Sequence, residues 1–497
     1  MHSSARGTDS LFPFACLATA TLIAIGYSGY AQAGGTAFDA TSISAMGNAS
    51  AGQAAEAGDA SVLFANPAAL TRFKRAELTQ GAAIISIGTD YTSTQNNDGA
   101  GSGAPQGQNG QVFSRRDGSD AAALAPNLFI AIPVNEKLVM GFSASASHGL
   151  VVRYDENFPG RNQGRDIDFK VTRLNLGFGY KLSPTLSWGM NGSYERYFQS
   201  IKLKLNYREA VADIVERDCE SPLGLPCVLT PDLANGILQT PEGEANGSLR
   251  MFGWAFNAQV GGLWEPTENT RVGVSYRPKT RFTGNRGKFK LEDPNLQAFR
   301  DSLVNNAGTA QLQGIDTIQA AQDLAPEQVI KQDITLPDEL RISVFHHATP
   351  KLDLMATYTR QDFSVTKLNF ERESNGRTLE NIPQNFVAAE SYRVGLNYKL
   401  YKRLTLRAGY AVENSVIDDA TRITILPDSD RQYFAFGGQF DVSRDTSIYF
   451  AYQKLDTTPA PVGNNDGIRP EEVRGGDFKG NVQLDTHFLG IGITERF

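Results

Sequence analysis

Few residues of this 497-residue chain are of types that do covalent or metal chemistry, and their spacing suits little of it. His148, His346, His347 and His487 fall in no G-x-S-x-G, H-E-x-x-H or His-plus-Cys arrangement, so neither a nucleophile elbow nor a zinc helix is present as a motif. His346 and His347, adjacent on an alternating segment, face opposite sides and cannot share one ion. The glycine-rich run from Gly99 to Gly107 lacks the strand-to-helix setting of a phosphate loop. Asn464-Asn465-Asp466-Gly467, followed by Glu471 and Glu472, misses the early ligand spacing of a calcium loop. A serine and a histidine distant in sequence could still meet on a folded surface, and lipid hydrolysis would reveal them. The expectation is no enzyme, no cofactor and no metal site. Cys219 and Cys227 bracket a proline-rich stretch with no histidine close by, and in an oxidising compartment they are expected to form a loop-closing disulfide.

What must position these residues is read from patterning. The net charge is −7 and no Lys/Arg cluster is interleaved with aromatics, which excludes the footprint of a nucleic-acid binder. Mean hydropathy is −0.30, and beyond the first 33 residues no run of apolar residues is long enough to span a bilayer as a helix. Leu11 to Tyr30 form an apolar stretch preceded by Arg6 and followed by Ala31-Gln32-Ala33, a small-residue cleavage signal. Residues 1–33 are therefore expected to be a signal peptide.

From about Leu78 to Phe497 the chain alternates with period two. Tyr392, Val394, Leu396, Tyr398 and Leu400 interleave with polar or small residues, as do Leu404, Leu406, Ala408, Tyr410 and Val412 after a short turn. Such strands match a barrel with a lipid-facing exterior and a polar lumen better than a sandwich with a dry core. Short turns near Pro133, Ser183, Pro266, Pro350, Lys402 and Ser443 alternate with long loops at Asp90–Asp120, Asn206–Ser248, Thr283–Ile330, Asn369–Ala389 and Asp456–Asp477. That asymmetry is typical of outer-membrane barrels, and the spacing predicts fourteen strands. The fold expected is all-β, a fourteen-stranded antiparallel transmembrane barrel over residues 78–497. Residues 34–77 do not alternate and are rich in Ala, Gly and Ser, which suits a compact segment folded inside the barrel; a linker has similar composition.

Asn66-Pro67-Ala68, with Gly47, Ala49, Gly52 and Asp59 before it, resembles the FadL/TodX family of outer-membrane transporters for hydrophobic compounds. Thr270 to Arg277, Thr335-Leu336-Pro337-Asp338, Tyr392 to Leu396 and Ile425 to Arg431 are similar to family strand and turn segments in the same order. The resemblance implies an N-terminal hatch at 34–77 carrying Gly47, Gly52, Asn66, Pro67 and Ala68. It also implies passive, hatch-gated diffusion of long-chain fatty acids or related compounds, with lateral exit where the third strand kinks. His148, Gly149 and Leu150 occupy the matching stretch, and Gly149 is expected to break the ladder there. Leu223, Leu225, Leu296 and Phe299 are apolar candidates for substrate capture in the outer loops. Where the family's basic lumen residues would lie, this chain has Leu203 and an uncharged stretch around Pro383 and Gln384, with Lys202, Lys204 and Arg377 as nearby cations. Neutral or aromatic hydrocarbons are thus an alternative cargo, and a general diffusion porin an alternative mechanism. The partners implied are a hydrophobic small molecule, outer-membrane lipid and lipopolysaccharide, and the barrel assembly machinery.

Overall fold

The computed structural model describes residues 41–95, 113–115, 121–154, 158, 161–162, 164–207, 236, 240, 243–306, 317–374, 376, 378–382, 385–462 and 479–497. The signal segment 1–33, Leu223, Leu225, Cys219, Cys227, Arg377, Pro383 and Gln384 lie outside them.

The described strands close into a fourteen-stranded antiparallel barrel. Its wall runs β1 Glu77–Gln95, β2 Ala121–Pro133, β3 Leu138–Arg153, β4 Asp166–Lys181, β5 Leu186–Asn206 and β6 Glu244–Thr267. It continues through β7 (Thr270–Arg277 and Thr280–Glu292), β8 (Glu327–Leu336 and Glu339–Thr349), β9 Leu352–Asp362 and β10 Ala388–Tyr401. β11 Leu404–Glu413, β12 Arg431–Asp441, β13 Thr446–Thr457 and β14 Lys479–Arg496 complete it. Closure comes from β1 pairing with β14, Glu77 opposite Arg496 and Ile84 opposite Leu489. β7 and β8 are each interrupted at a proline, Pro278 and Pro337, which has no N–H to give the ladder.

β5 shows why these residues make a wall. Leu186, Trp188, Met190 and Tyr194 are exposed on one side, while Ser187, Asn191, Ser193 and Glu195 are buried on the other. An exposed apolar belt running round every strand is far larger than the patches soluble monomers carry, and its place is in lipid. The expected polar lumen holds only in the half nearer the short turns. Towards the long loops the inward face turns apolar, with Tyr197, Ile201, Leu249, Met251, Phe289 and Leu291 buried. The strands there rise above the lipid and their alternation reverses phase, which is why the sequence reads as loop where strand continues. β6 starts at Glu244 and β7 runs to Glu292 rather than ending near Thr283, and the next loop holds two helices, Leu296–Asn305 and Thr317–Asp323.

The segment before β1 lies within the barrel. Its helices, α1 Ile43–Met46 and α2 Val62–Ala65, and the 3-10 helix Pro67–Arg72 are fully or almost fully buried. Small residues allow backbone to meet backbone: a Cβ on Gly261 would sit 2.0 Å from Asn66 Oδ1, on Gly409 2.1 Å from the Asn48 carbonyl oxygen, and on Gly273 2.0 Å from the Ala54 carbonyl oxygen. Gly409→Leu or Gly261→Leu should therefore displace the segment, since overpacking a closed contact costs about 1–3 kcal/mol. Limited proteolysis should find new cuts within residues 41–75 in these variants and none in the parent protein; identical digestion patterns would show that the contact is not restraining.

Candidate functional site

Asn66 anchors the inner segment. Its Oδ1 accepts from the Ala68 amide at 3.0 Å, capping the 3-10 helix that Pro67 starts. Its Nδ2 donates to the Ala54 carbonyl at 2.8 Å and to the Gly262 carbonyl of β6 at 2.9 Å. Gly52, left-handed at φ 73°, donates its N–H to Thr357 Oγ1 of β9 at 2.8 Å. Gly47 ends α1, its Cα close enough to β12 that a Cβ on Gly437 would lie 2.8 Å away. Buried ions reinforce these contacts: Glu56 pairs with Arg407 at 3.0 Å, and Glu77 receives Arg496 at 3.0 Å and the Ala60 amide at 2.8 Å.

β3 is the irregular part of the wall. It pairs with β2 only from Pro133↔Val139 to Leu128↔Ala144, while its upper half pairs with β4 alone. Ser143 to Val152 are buried continuously, on both faces, instead of alternating. The register with β4 slips between Ala146 and His148, which places the bulge at Ser147. This corrects the expectation for Gly149, which stays in the ladder opposite Lys170 and is not among the described residues with positive φ. Along the interrupted β2–β3 seam, Asn127 Nδ2, Ser145 Oγ and His148 Nε2 are buried without a hydrogen-bond partner among the described residues. His148 Nδ1 meets Ser147 Oγ at 3.0 Å. A second interruption, between β6 and β7, is bridged instead, because Asn257 Nδ2 donates to the Pro278 carbonyl at 2.7 Å and contacts Thr280 Oγ1 at 2.6 Å.

Two spaces flank the bulge. Above it lies a partly open apolar cavity bounded by Leu150, Ile167, Phe169 and Ile201 of β3–β5 and Ile334 and Leu336 of β8. Phe363, Phe386, Ile417 and Ile425 from the outer loops close it, and Asp428 is the one charged residue in the lining. That carboxylate is spoken for: it accepts from the Val416 amide at 2.6 Å and pairs with Arg431 at 3.1 Å. Beside the cavity Tyr154 stacks on Phe158 with centroids 3.8 Å apart and donates to the Thr424 carbonyl at 2.7 Å. Burial pushes its phenol up, so it keeps its proton and this donor role throughout the physiological range.

Below the bulge is a narrow polar space where Ser50, Gln53 and Phe64 of the inner segment face His148, Arg173, Arg277 and Arg393 of the wall. Arg173 pairs with Glu195 at 3.0 Å, Arg341 with Glu339 at 3.0 Å and Arg393 with Glu413 at 3.2 Å. Arg277 lies between Glu195 and Glu339 at 3.9 and 3.8 Å. Charges this deeply buried are costly unless paired, and here they are held in a chain of pairs.

The structure thus unites Leu150 with the cavity and His148 with the polar space, and places the described substrate-binding candidates Lys202, Leu203, Lys204, Leu296 and Phe299 outside the lining of either. Leu296 and Phe299 are buried in the outer loops, Phe299 against Tyr207 at 5.1 Å, and pack loop on loop. Lys202 faces outward and pairs with Asp166 at 3.0 Å. Leu203 and Lys204 are half-buried near the end of β5, outside the lining of either space, with the Leu203 side chain packed against Gly247. Ile167, Phe169, Ile334 and Leu336 escaped the sequence reading; their signal is the phase reversal in the outer halves of β4 and β8. Pro126, in the part of β2 that pairs with β1 but not with β3, is a further sign of a strand edge.

A closed, lipid-belted barrel whose lower lumen is filled by an inner segment is the architecture of a plugged outer-membrane barrel, not of an open water channel. Residues 24–497 match the family model described as outer membrane protein transport protein (OMPP1/FadL/TodX), and the chain belongs to that family of outer-membrane proteins. It is 27% identical over 445 residues to outer membrane protein P1 of Haemophilus influenzae, covering 88% of this chain and 89% of that protein. It is 25% identical over 440 residues to a long-chain fatty acid transport protein of Escherichia coli, covering 88% and 90%. Its fold matches the crystal structure of a Pseudomonas aeruginosa FadL homologue at TM-score 0.76 and 21% identity, over 94% of this chain and all of that one. The Pseudomonas putida toluene transporter TodX has the same fold at TM-score 0.60 and 16% identity, over 94% and 99%.

Leu336→Asp places an unpaired carboxylate in the apolar cavity. Binding of a neutral hydrophobic fluorophore to the purified protein should weaken more than tenfold, with Leu336→Met close to the parent protein; equal binding by all three would remove the cavity from the site.

Proposed function

We propose that this protein carries long-chain fatty acids or related hydrophobic compounds across the outer membrane by passive diffusion, with residues 34–77 acting as a hatch. The observation that carries the reading is that Leu150 lines the apolar cavity and sits beside the bulge at which β3 parts from β2. A hydrocarbon chain gains about 25 cal/mol per Å² of apolar surface buried in such a cavity, a gain an aqueous pore does not offer. The cargo enters between the outer loops, rests in the cavity, and leaves sideways between β2 and β3 into the lipid once the hatch shifts. The unpartnered polar atoms along that seam support an opening there, because no side-chain bridge of the kind made by Asn257 holds it closed. The surrounding partners are outer-membrane lipid and lipopolysaccharide, and the barrel assembly machinery inserts the chain. No enzymatic step is part of this reading.

Neutral and aromatic hydrocarbons are the second cargo class. The absence of any cation from the described cavity lining favours them, since a carboxylate resting there would have no basic partner in contact. A general diffusion porin fits less well, because the inner segment fills the lower lumen.

Uptake of labelled oleate and labelled toluene by cells lacking their own hydrophobe transporter separates the cargo classes: oleate uptake supports a fatty-acid carrier, toluene alone a hydrocarbon channel, and neither would overturn the proposal. With Asn127→Cys and Ser145→Cys joined by a short thiol cross-linker, uptake should fall at least tenfold and recover when a cleavable linker is cut. Undiminished uptake in the cross-linked protein would place the exit elsewhere.

A further inference from the structure

Strand pairing assembles a basic surface that is dispersed in the sequence. On the outward face of the wall, where the apolar belt ends at Leu174, Tyr194 and Trp254, cross-strand register sets Thr172, Arg196 and Trp254 side by side. The row above reads Lys170, Phe198, Phe252, Arg286 and Lys331 across β4 to β8. The next reads Asp168, Ser200, Arg250, Lys288 and Val329. Two cations stand directly opposite each other in it, Arg250 and Lys288, an arrangement that destabilises a sheet unless something anionic lies across it.

The acids nearby do not neutralise the face. Glu373 takes Arg286 at 2.7 Å and Lys331 at 3.2 Å, Glu327 takes Lys288 at 2.8 Å, and Asp166 takes Lys202 at 3.0 Å. Asp168 shares the face, with no ion pair within 4.0 Å among the described residues. Lys170, Arg196 and Arg250 likewise have no ion-pair partner there. Two of them rest on aromatic rings instead: Lys170 lies 4.7 Å from the Phe198 centroid and Arg196 5.8 Å from that of Phe252. Aromatic rings at the edge of an apolar belt mark the level of lipid headgroups, so these cations stand at phosphate height.

We infer that the outward face of β4–β8 binds a diphosphorylated glycolipid of the outer leaflet, with Lys170, Arg196 and Arg250 as the phosphate contacts. The inference rests on the outer-membrane placement of the barrel but not on its cargo. The choice of a glycolipid follows from breadth: with strands about 4.8 Å apart and a rise of about 3.4 Å per residue, Lys170 and Arg250, two strands and two residues apart, stand about 12 Å from one another, a span suited to two phosphates on a broad headgroup with several acyl chains. The exposed Tyr194, Trp254 and Phe256 below would lie along those chains.

The test is native mass spectrometry of the full barrel in detergent, titrated with diphosphoryl lipid A, with its phosphate-free counterpart and with phosphatidylglycerol. The parent protein should bind the diphosphoryl lipid at least tenfold more tightly than either comparison lipid. Lys170→Gln/Arg196→Gln/Arg250→Gln should lose that advantage. The charge-keeping Lys170→Arg/Arg196→Lys/Arg250→Lys should retain most of it, and Lys454→Gln, on β13 across the barrel, all of it. Equal binding of the three lipids by the parent protein, or full-strength diphosphoryl binding by the glutamine triple variant, would overturn the assignment. Hydrophobic-compound uptake by the triple variant, measured alongside, should equal that of the parent protein, so a failed transport reading appears in the parent's uptake and a failed lipid site in the titration.

Discussion

The constraint on which this structure depends is that lipid offers no hydrogen bonds. Every N–H and C=O at membrane depth must be satisfied within the protein, and for strands that means a closed ladder. β1 and β14 meet through the whole length of the belt, and the chain's last described amide, that of Phe497, donates to the Ala76 carbonyl at 2.9 Å. Once closure is required, alternation follows: one side of each strand is apolar for lipid and the other is free to build an interior. The apolar cavity and the inner segment lie on that second side, and the seam between β2 and β3 lies where the ladder lapses.

The interior is divided by height. In the lower half, small inward residues and glycines let the backbone of residues 41–72 lie against the wall, while paired ions such as Glu56 with Arg407 hold it from the side. Ala49 and Ser50 sit there in the left-handed region at φ 55° and 60°, a conformation that costs roughly 1–2 kcal/mol for each such residue. Arg393 Nη1, donating to the Ala49 carbonyl at 3.2 Å, is one of the contacts that hold it. In the upper half there is no inner segment, and large apolar side chains fill most of the section but leave the cavity beneath Phe386 and Ile425. An apolar cavity above and a filled lumen below therefore arise from one strand pattern whose inward residues change from small and polar to large and apolar.

Much of the fold was legible because lipid imposes a simple rule on the outward face. The clean runs at Tyr392–Leu400 and Leu404–Val412 became β10 and β11, and the short turns fell between strands as expected. The outer halves of β6 and β7 were not legible as strand. Above the bilayer, Arg281, Arg286 and Lys288 face out and Phe282 and Phe289 face in, so the phase that marked a strand below marks its opposite here. The cavity was hidden for the same reason. Leu296 and Phe299 looked like binding residues because they are apolar in a loop, but hydrophobicity alone does not distinguish a side chain that packs a loop from one that awaits a ligand. In β3 glycine drew attention to position 149, whereas the residue left out of the register with β4 is Ser147.

The break at β3 would be untenable if it opened directly onto lipid, because the upper halves of β2 and β3 give up their mutual hydrogen bonds. What makes it tolerable is that Ser143 to Val152 are covered on both faces by protein, so the freed backbone lines an interior instead of the bilayer. β4 compensates by following β3 up to Arg153, keeping one full ladder where the other is lost. The strand is thereby fixed on one side and loose on the other. The lateral exit we propose would need displacement only of β2 or of the packing around His148, with no rupture of the wall as a whole. The cost is borne by a few buried polar atoms, Asn127 Nδ2, Ser145 Oγ and His148 Nε2, each forgoing a hydrogen bond that would be worth about 1 kcal/mol and would tie the seam shut.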